Sequence, residues 1–413
     1  MQSLRRTVAI LSGTVFLVMI GISIIVPALP QYGLYLGATP FLAGILVGAL
    51  PSARVLLDLP AGAFGDRFGN RRMMRTGLAI IALTSAVAVV AFDYWVLLGV
   101  RFAEGVGSAF YVTSSLAALA KRVPPERRGR YMGIYVNALL VGQLVGPVIG
   151  GVVVLWWWIR APFAMYAVLA CVGMLVITFG LEPEAESGKD GRVDRVAVRR
   201  LLRDRSYLLV TSGTMAAFFV RAGLITTVIP LFIAFNWGVN PTLAIAYTGI
   251  LITTNAFAQL LTLYPSGLLA DRFGRKIPFV LSLVLVGAVA PFLFVARDIG
   301  SAIPVMFVYG LCLGLHGPLV AWTTDLTPKE IMGTSMGLYR TIGDLGFLLG
   351  PVILAAVLEL TLVNGRVTIA PFLVAAVWVT TAGLLMLLAR DPIADRKRAE
   401  RAATRPAQPG NAS

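Results

Sequence analysis

Apolar runs recur along the whole chain, broken by short polar stretches near residues 31–40, 65–73, 93, 121–130, 159–160, 182–206, 236–241, 266–276, 297–300, 326–333 and 364–366. A helix needs about 20 apolar residues to cross the hydrocarbon layer of a bilayer. The pattern therefore predicts twelve membrane-spanning helices and an all-α membrane protein. The first run, about Thr7 to Pro30, follows Arg5 and Arg6 as a signal peptide would. It exceeds the roughly 7–15 apolar residues of such a peptide and no A-x-A cleavage site follows, so it reads as a retained span. Composition sharpens the picture: of 413 residues 58% are hydrophobic and only 13% charged, with a mean hydropathy of +0.83. Soluble chains carry about 25% charged residues, so the composition argues against an ordinary cytoplasmic enzyme and excludes a disordered chain. The two cysteines, Cys171 and Cys312, sit in apolar runs and offer neither a disulfide framework nor a thiolate metal site.

A net charge of +15 would suggest nucleic acid in a soluble protein, but here the basic residues fall between the apolar runs. The breaks alternate sides of the membrane. One set, with both termini and the central segment, holds 28 of the 35 Lys and Arg; the other holds only Arg160, Arg297 and Arg366. Positive charge collects on the cytoplasmic side, which predicts a multi-pass protein of a bacterial inner membrane with both termini cytoplasmic. Its macromolecular environment is the lipid bilayer and not nucleic acid, and a monomer is expected. The charged segment 182–206 divides the spans six and six. Expected boundaries are a six-helix bundle over 1–181, a cytoplasmic linker over 182–206, a second bundle over 207–390 and a disordered tail over 391–413. Within the linker, Val193, Ala197 and Leu201 fall at helical spacing opposite Arg192, Arg195, Arg199 and Arg203, as in a helix lying on the leaflet surface.

An internal repeat decides the architecture. Gly62-Ala-Phe-Gly-Asp66-Arg67-Phe-Gly69-Asn-Arg71-Arg72 returns as Gly267-Leu-Leu-Ala-Asp271-Arg272-Phe-Gly274-Arg-Lys276, 205 residues later. Pro124, Glu126, Gly129, Met132, Gly133 and Tyr135 return as Pro328, Glu330, Gly333, Met336, Gly337 and Tyr339, and Gly142-x-x-x-Gly146-Pro147 returns as Gly346-x-x-x-Gly350-Pro351. Two six-span halves in the same sense, joined by a linker, form the parallel-repeat plan of secondary transporters.

These motifs resemble those of the major facilitator superfamily over nearly the whole chain. Gly62 to Arg72 is similar to its signature loop between the second and third spans, departing only at Asn70, where a basic residue is usual. Leu97-x-x-x-Arg101-x-x-x-Gly105-x-Gly107-x-Ala109 resembles the fourth-span motif. Gly142-x-x-x-Gly146-Pro147-x-x-Gly150-Gly151 resembles the fifth-span motif of proton-exchanging exporters, and Gly21 with Pro27-x-x-Pro30 the first span of twelve-span drug:proton antiporters. The resemblance implies a cytoplasmic gate built from Gly62, Asp66, Arg67 and Gly69 and from Gly267, Asp271, Arg272 and Gly274. It also implies a proton-transfer role for Arg101. Independently, glycines four apart let helices approach closely, and Pro147 and Pro351 each remove a helical hydrogen bond. Gly142, Gly146, Pro147, Gly350 and Pro351 are thus candidates for a hinge.

Seven ionisable residues fall inside spans. Arg54 and Asp58 are four apart, as are Arg340 and Asp344; Arg101 and Glu104 are three apart; Arg221 stands alone. Each pair shares a helix face. Exposed to lipid, seven charges would cost roughly 20 kcal/mol, so they must face water or each other. Asp58, Arg101, Glu104, Arg340 and Asp344 are candidates for proton coupling, with a purely structural ion pair as the lesser alternative for each pair. Arg54, Arg221 and His316, the only histidine, are candidates for the substrate cavity. The first span carries no acid, and the unpaired Arg221 favours a neutral or anionic amphiphile over a lone cation. The expected function is proton-coupled efflux of a small amphiphilic drug or metabolite by alternating access; the alternative is a proton-linked uptake carrier or uniporter. An enzyme is disfavoured: the chain has no HExxH, no Cys/His metal spacing and no nucleotide loop, so neither cofactor nor metal is expected. The repeat makes a direct prediction about topology. Cysteines placed at Phe64 and Leu268 must react with an impermeant maleimide from the same side of the membrane; labelling from opposite sides would refute the parallel arrangement.

Overall fold

The structure is a computed structural model and describes residues 2–124, 127–182, 195–317, 319–328 and 331–395. Among the described residues are twelve helices long and apolar enough to span a membrane. Spans 1 to 6 are Gln2–Ile25, Pro40–Phe68, Asn70–Val89, Tyr94–Arg122, Arg128–Trp156 and Ala161–Gly180. Span 7 is continuous through Arg205–Val220, a π-helical stretch Arg221–Val228, and Ile229–Asn236; span 8 is Pro241–Phe273. Span 9 combines Lys276–Val289 with Phe292–Val295, span 10 combines Ile299–Gly314 with Leu319–Asp325, and spans 11 and 12 are Met332–Leu360 and Ala370–Leu385. The first span stops at Ile25, earlier than its apolar run suggests, because Pro27 has no amide to donate and disfavours helix before it. A short helix, Leu29–Tyr35, then leads to span 2.

The helices pack as two six-membered bundles. In the first, span 1 lies on spans 5 and 6, span 4 on spans 2 and 3, and span 3 on span 6; in the second, spans 7 to 12 repeat those pairings. Two seams join the bundles, span 2 against span 11 and span 5 against span 8. The repeat maps one seam onto the other, since span 2 corresponds to span 8 and span 11 to span 5. Large apolar side chains such as Trp95, Val168, Phe179, Leu281 and Val377 stand exposed on the outside, as a lipid-facing surface requires. Helix starts are capped locally: Asp93 accepts from Val96 N at 2.9 Å and Asn240 from Leu243 N at 2.8 Å. Asp298 accepts from Ser301 N at 2.8 Å, and that bond holds its carboxyl below the usual range.

The glycine motifs set how closely helices approach. A Cβ on Gly146 or Gly150 would lie 2.4 Å from Ser23 Cβ or 2.0 Å from Ile24 O of span 1. A Cβ on Gly346 or Gly350 would lie 2.2 Å from Met215 O or 2.3 Å from Phe219 O of span 7. Spans 5 and 11 run unbroken through Pro147 and Pro351, so the structure shows close packing and no break at the expected hinge.

Two expectations at the polar ends change. The linker helix, Arg195–Leu201, buries Ala197 and Leu201 as expected, but against span 11 and not in the leaflet. Residues 183–194, with Arg192 and Val193, lie outside the described residues. The polar composition from 391 onward predicts disorder, yet Asp391 is buried and accepts from Lys276 N at 2.8 Å and Ala394 N at 3.2 Å. A carboxylate at the start of span 9 satisfies an orphan amide and the helix dipole together, which ties residues 391–395 to the bundle. Residues 396–413 lie outside the described residues. The glycine contacts predict that Gly150→Val and Gly350→Val each destabilise the protein by about 1–3 kcal/mol, lowering its Tm in detergent. Gly13→Ala, whose methyl meets nothing within 4 Å, should leave Tm unchanged.

Candidate functional site

Four charges meet where spans 2 and 11 cross the middle of the molecule. The sequence suggests pairs within each helix, Arg54 with Asp58 and Arg340 with Asp344. The structure exchanges the partners. Arg54 Nη2 lies 3.0 Å from Asp344 Oδ2, and Arg340 Nε lies 2.8 Å from Asp58 Oδ2. The reason is register. Spans 2 and 11 run antiparallel, so an Arg-x-x-x-Asp on each sets every arginine level with the other helix's carboxylate. The carboxylates are almost closed off, with side chains 3% and 6% exposed, whereas the arginines reach open space at 23% and 28%. Arg340 and Asp344 each interact electrostatically with the other three members. The four charges balance, and each ion pair bridges the two bundles.

The seams are closed from this level to the end opposite the linker. Gly44 lies under Pro351 O, where a Cβ would be 2.5 Å away, and Gly48 under Leu348 O at 3.1 Å. On the second seam a Cβ on Gly249 would lie 2.4 Å from Pro147 O, and one on Gly151 3.0 Å from Ala246 Cα. Hydrogen bonds fasten the far end. Phe41 N donates to Glu359 Oε2 at 2.6 Å and Gln31 Nε2 to Pro230 O at 2.9 Å, while nearer mid-height Thr253 Oγ1 donates to Leu144 O at 3.3 Å. Toward the linker the seam helices instead expose Phe64, Phe68, Leu263, Tyr264, Leu268 and Phe273. The molecule is shut at one end and splayed at the other.

The signature turns lie at the splayed end. Gly69 and Gly274 terminate spans 2 and 8 with φ of +86° and +101°, a left-handed conformation that favours glycine. Arg67 and Arg272 lie over the rings of Phe68 and Phe273, at 5.3 and 5.4 Å. In the second turn Arg275 Nη1 holds Asp271 at 2.7 Å and its Nε holds Asp325 at 3.1 Å. The first turn cannot copy this arrangement, because Asn70 and Lys121 occupy the positions equivalent to Arg275 and Asp325. A Cβ on Gly267 would meet nothing within 4 Å. Gly62 lies within the span 2 helix, and the Asp66 side chain is outside the described part of the structure, as are Glu126 and Glu330.

Arg101 and Glu104 are not part of the central quartet. They pair at 2.6 Å inside the first bundle, where the Glu104 side chain has no exposure and its Oε1 has no protein partner. Tyr166 of span 6 packs into the space left by Gly21 and interacts electrostatically with both. Arg221 opens the π-helical stretch of span 7 and donates through Nη2 to Gln143 Oε1 of span 5 at 3.2 Å, across the interface between the bundles. His316 falls where span 10 is interrupted, with its Nδ1 against Leu313 O and Arg221 within electrostatic reach. Gln143, Gln31 and Glu359 carry no motif of their own. The polar Gln143 inside an apolar span, aligned with Arg221 only once the bundles are assembled, is the faint signal that could have marked it.

The profile of the Major Facilitator Superfamily matches residues 11–248 and again 210–412. An uncharacterized MFS-type transporter of Methanocaldococcus jannaschii is 23% identical, over 85% of this chain and 91% of its own length. The synaptic vesicular amine transporter of Bos taurus is 25% identical over 75% of this chain, which spans only 59% of that protein's length. A multi-drug resistance efflux pump PmrA homolog of Lactococcus lactis is 24% identical over 81% of this chain and 84% of its own. Among solved structures, a bacterial homolog of the human lysosomal transporter Spinster, inward-facing and occupied, superposes with a TM-score of 0.77. It covers 94% of this chain and 96% of its own at 15% identity, a likeness of fold. The duplicated six-helix plan, the paired signature turns and the profile match over both halves agree: this chain is a transporter of the major facilitator superfamily.

Proposed function

We propose that the protein exports a small amphiphilic compound in exchange for protons, by alternating access. The observation that carries this reading is the reciprocal quartet of Arg54, Asp58, Arg340 and Asp344, which bridges two bundles that must separate and rejoin. The basic bias of the linker side makes that side cytoplasmic, in a bacterial inner membrane with both termini inside, so the splayed end faces the cytoplasm. In this inward-open arrangement each carboxylate lies against an arginine of the opposite bundle. A proton delivered from outside to Asp344 or Asp58 cancels one ion pair, and losing that proton to the cytoplasm restores it. The protonation state thereby biases which face is open. Glu104, sealed beside Arg101, is a second proton carrier within the first bundle. The signature turns, with Gly69 and Gly274 at their corners, close the cytoplasmic face in the opposite state; the open space beside Gly267 is where the other bundle would then pack. The similarity to an efflux pump of Lactococcus lactis supports export over uptake.

Everted vesicles carrying a pH-sensitive dye test the coupling, using compounds that a deletion strain accumulates relative to a complemented one. Addition of such a compound should release protons with the wild-type protein and not with Asp344→Asn or Glu104→Gln. Unchanged exchange in both variants, or accumulation in intact cells that depends on the protein, would overturn the reading. The crossed pairing makes a separate claim. A double-mutant cycle of Arg54→Gln with Asp344→Asn, read by Tm, should show a coupling of about 0.5–3 kcal/mol. The cycle of Arg54→Gln with Asp58→Asn should show less; the reverse order would return the pairs to single helices.

A further inference from the structure

Once each mid-membrane pair is assigned, one positive charge remains. Arg54 and Arg340 are held by Asp344 and Asp58, and Arg101 is held by Glu104. Arg221 has no carboxylate within ion-pair distance among the described residues; its partner is the uncharged amide oxygen of Gln143. Both side chains are only half-buried, at the mid-height of spans 7 and 5, on the interface that opens toward the linker. The backbone under Arg221 is unusual as well. Residues Arg221–Val228 form a π-helix, with Thr227 Oγ1 donating to Ala222 O at 2.9 Å and Gly223 set against the Gly350 carbonyl. Such stretches are rare and collect at functional sites. The acids that might hold a cation here, Asp58 and Asp344, are already occupied and nearly closed off, and span 1 has no acid.

We infer that the transported substrate is an organic anion, an amphiphile bearing a carboxylate, sulfonate or phosphate, and that its anionic group takes Arg221 from Gln143. The inference rests on the transporter reading above and names its substrate class. A guanidinium offers two parallel donors to such a group, a better match than one amide oxygen. A cation entering the same space would meet an uncompensated like charge. Because the Arg221–Gln143 bond joins span 7 to span 5, the exchange also removes one tie between the bundles, so loading the site loosens the interface that must move.

The test uses the purified full-length protein and matched probes: 1-naphthaleneacetate, 1-naphthalenesulfonate and the cation 1-naphthylmethylammonium, with binding read from the dose-dependent rise in Tm. The anions should stabilise the wild-type protein and the cation should not. Arg221→Gln should weaken anion binding about 10- to 100-fold, the value of one charge-assisted contact. Arg221→Lys, which keeps the charge, should lose less, and Gln143→Ala, which frees Arg221, should bind at least as tightly as wild type. Stabilisation by the cation, anion binding unchanged in Arg221→Gln, or no response to either anion would each overturn the assignment. Weakening by Gln143→Ala would overturn the exchange of partners. Proton release from vesicles is scored separately: anion binding without proton flux would refute the coupling and leave the substrate class standing, and the converse would do the opposite.

Discussion

An ionised side chain in a bilayer must find a counter-charge or water, and that requirement fixes how the two halves of this protein meet. Insertion of a single charge at mid-membrane costs about 2.5–3.5 kcal/mol, and a buried ion pair broken by loss of one partner costs more still. Spans 2 and 11 each carry an arginine and an aspartate four residues apart, and neither helix alone neutralises its own set in the observed geometry. Apposed antiparallel, they do so together. The same register brings Gly48 under Leu348 O and places Glu359 at the exposed amides of span 2, so ionic, steric and dipolar constraints agree on one alignment.

The remaining packing follows from small residues. Gly146 and Gly150 seat span 5 on span 1, while Pro147 and Gly151, on another face of the same helix, meet span 8. One sequence motif thus serves two contacts at once, a permanent one within a bundle and a changeable one between bundles. Span 11 repeats the device, with Gly346 and Gly350 on span 7 and Pro351 over Gly44. Without these glycines the backbones could not approach, and in a membrane close approach supplies much of the association.

Much of this was legible in the chain. Spans, repeat and signature turns follow from local spacing and from residues compared 204 or 205 positions apart, and the structure adds only limits to them, such as the early stop of span 1 before Pro27. Helix-face arithmetic also finds the tight Arg101–Glu104 pair, because three residues on one helix is a local relation. It misassigns Arg54 and Asp344, since the partners are 290 positions apart and nothing local says which helices face each other. Glu359 and Gln31 escaped for the same reason: each acts on a backbone group of the opposite bundle, which has no side-chain signature. Asp391 sits in a polar stretch that carries no local sign of anchoring, and only its contact with Lys276 N ties it to the bundle.

The two seams descend from one ancestral contact yet have diverged in character. By the internal repeat, Arg54 and Asp58 correspond to Gln259 and Leu263, and Arg340 and Asp344 to Val136 and Leu140. Duplication has left titratable chemistry on the span 2 and span 11 side and a neutral, glycine-lined contact on the span 5 and span 8 side. Under the proton coupling proposed above, only the first of these flanks offers carboxylates on which a proton could act. Among the described residues the span 5 and span 8 flank carries no ion pair, only the Thr253–Leu144 hydrogen bond and close glycine contacts, so in the proposed cycle the charged edge must yield first, as a door swings from its latch edge while the opposite jamb follows.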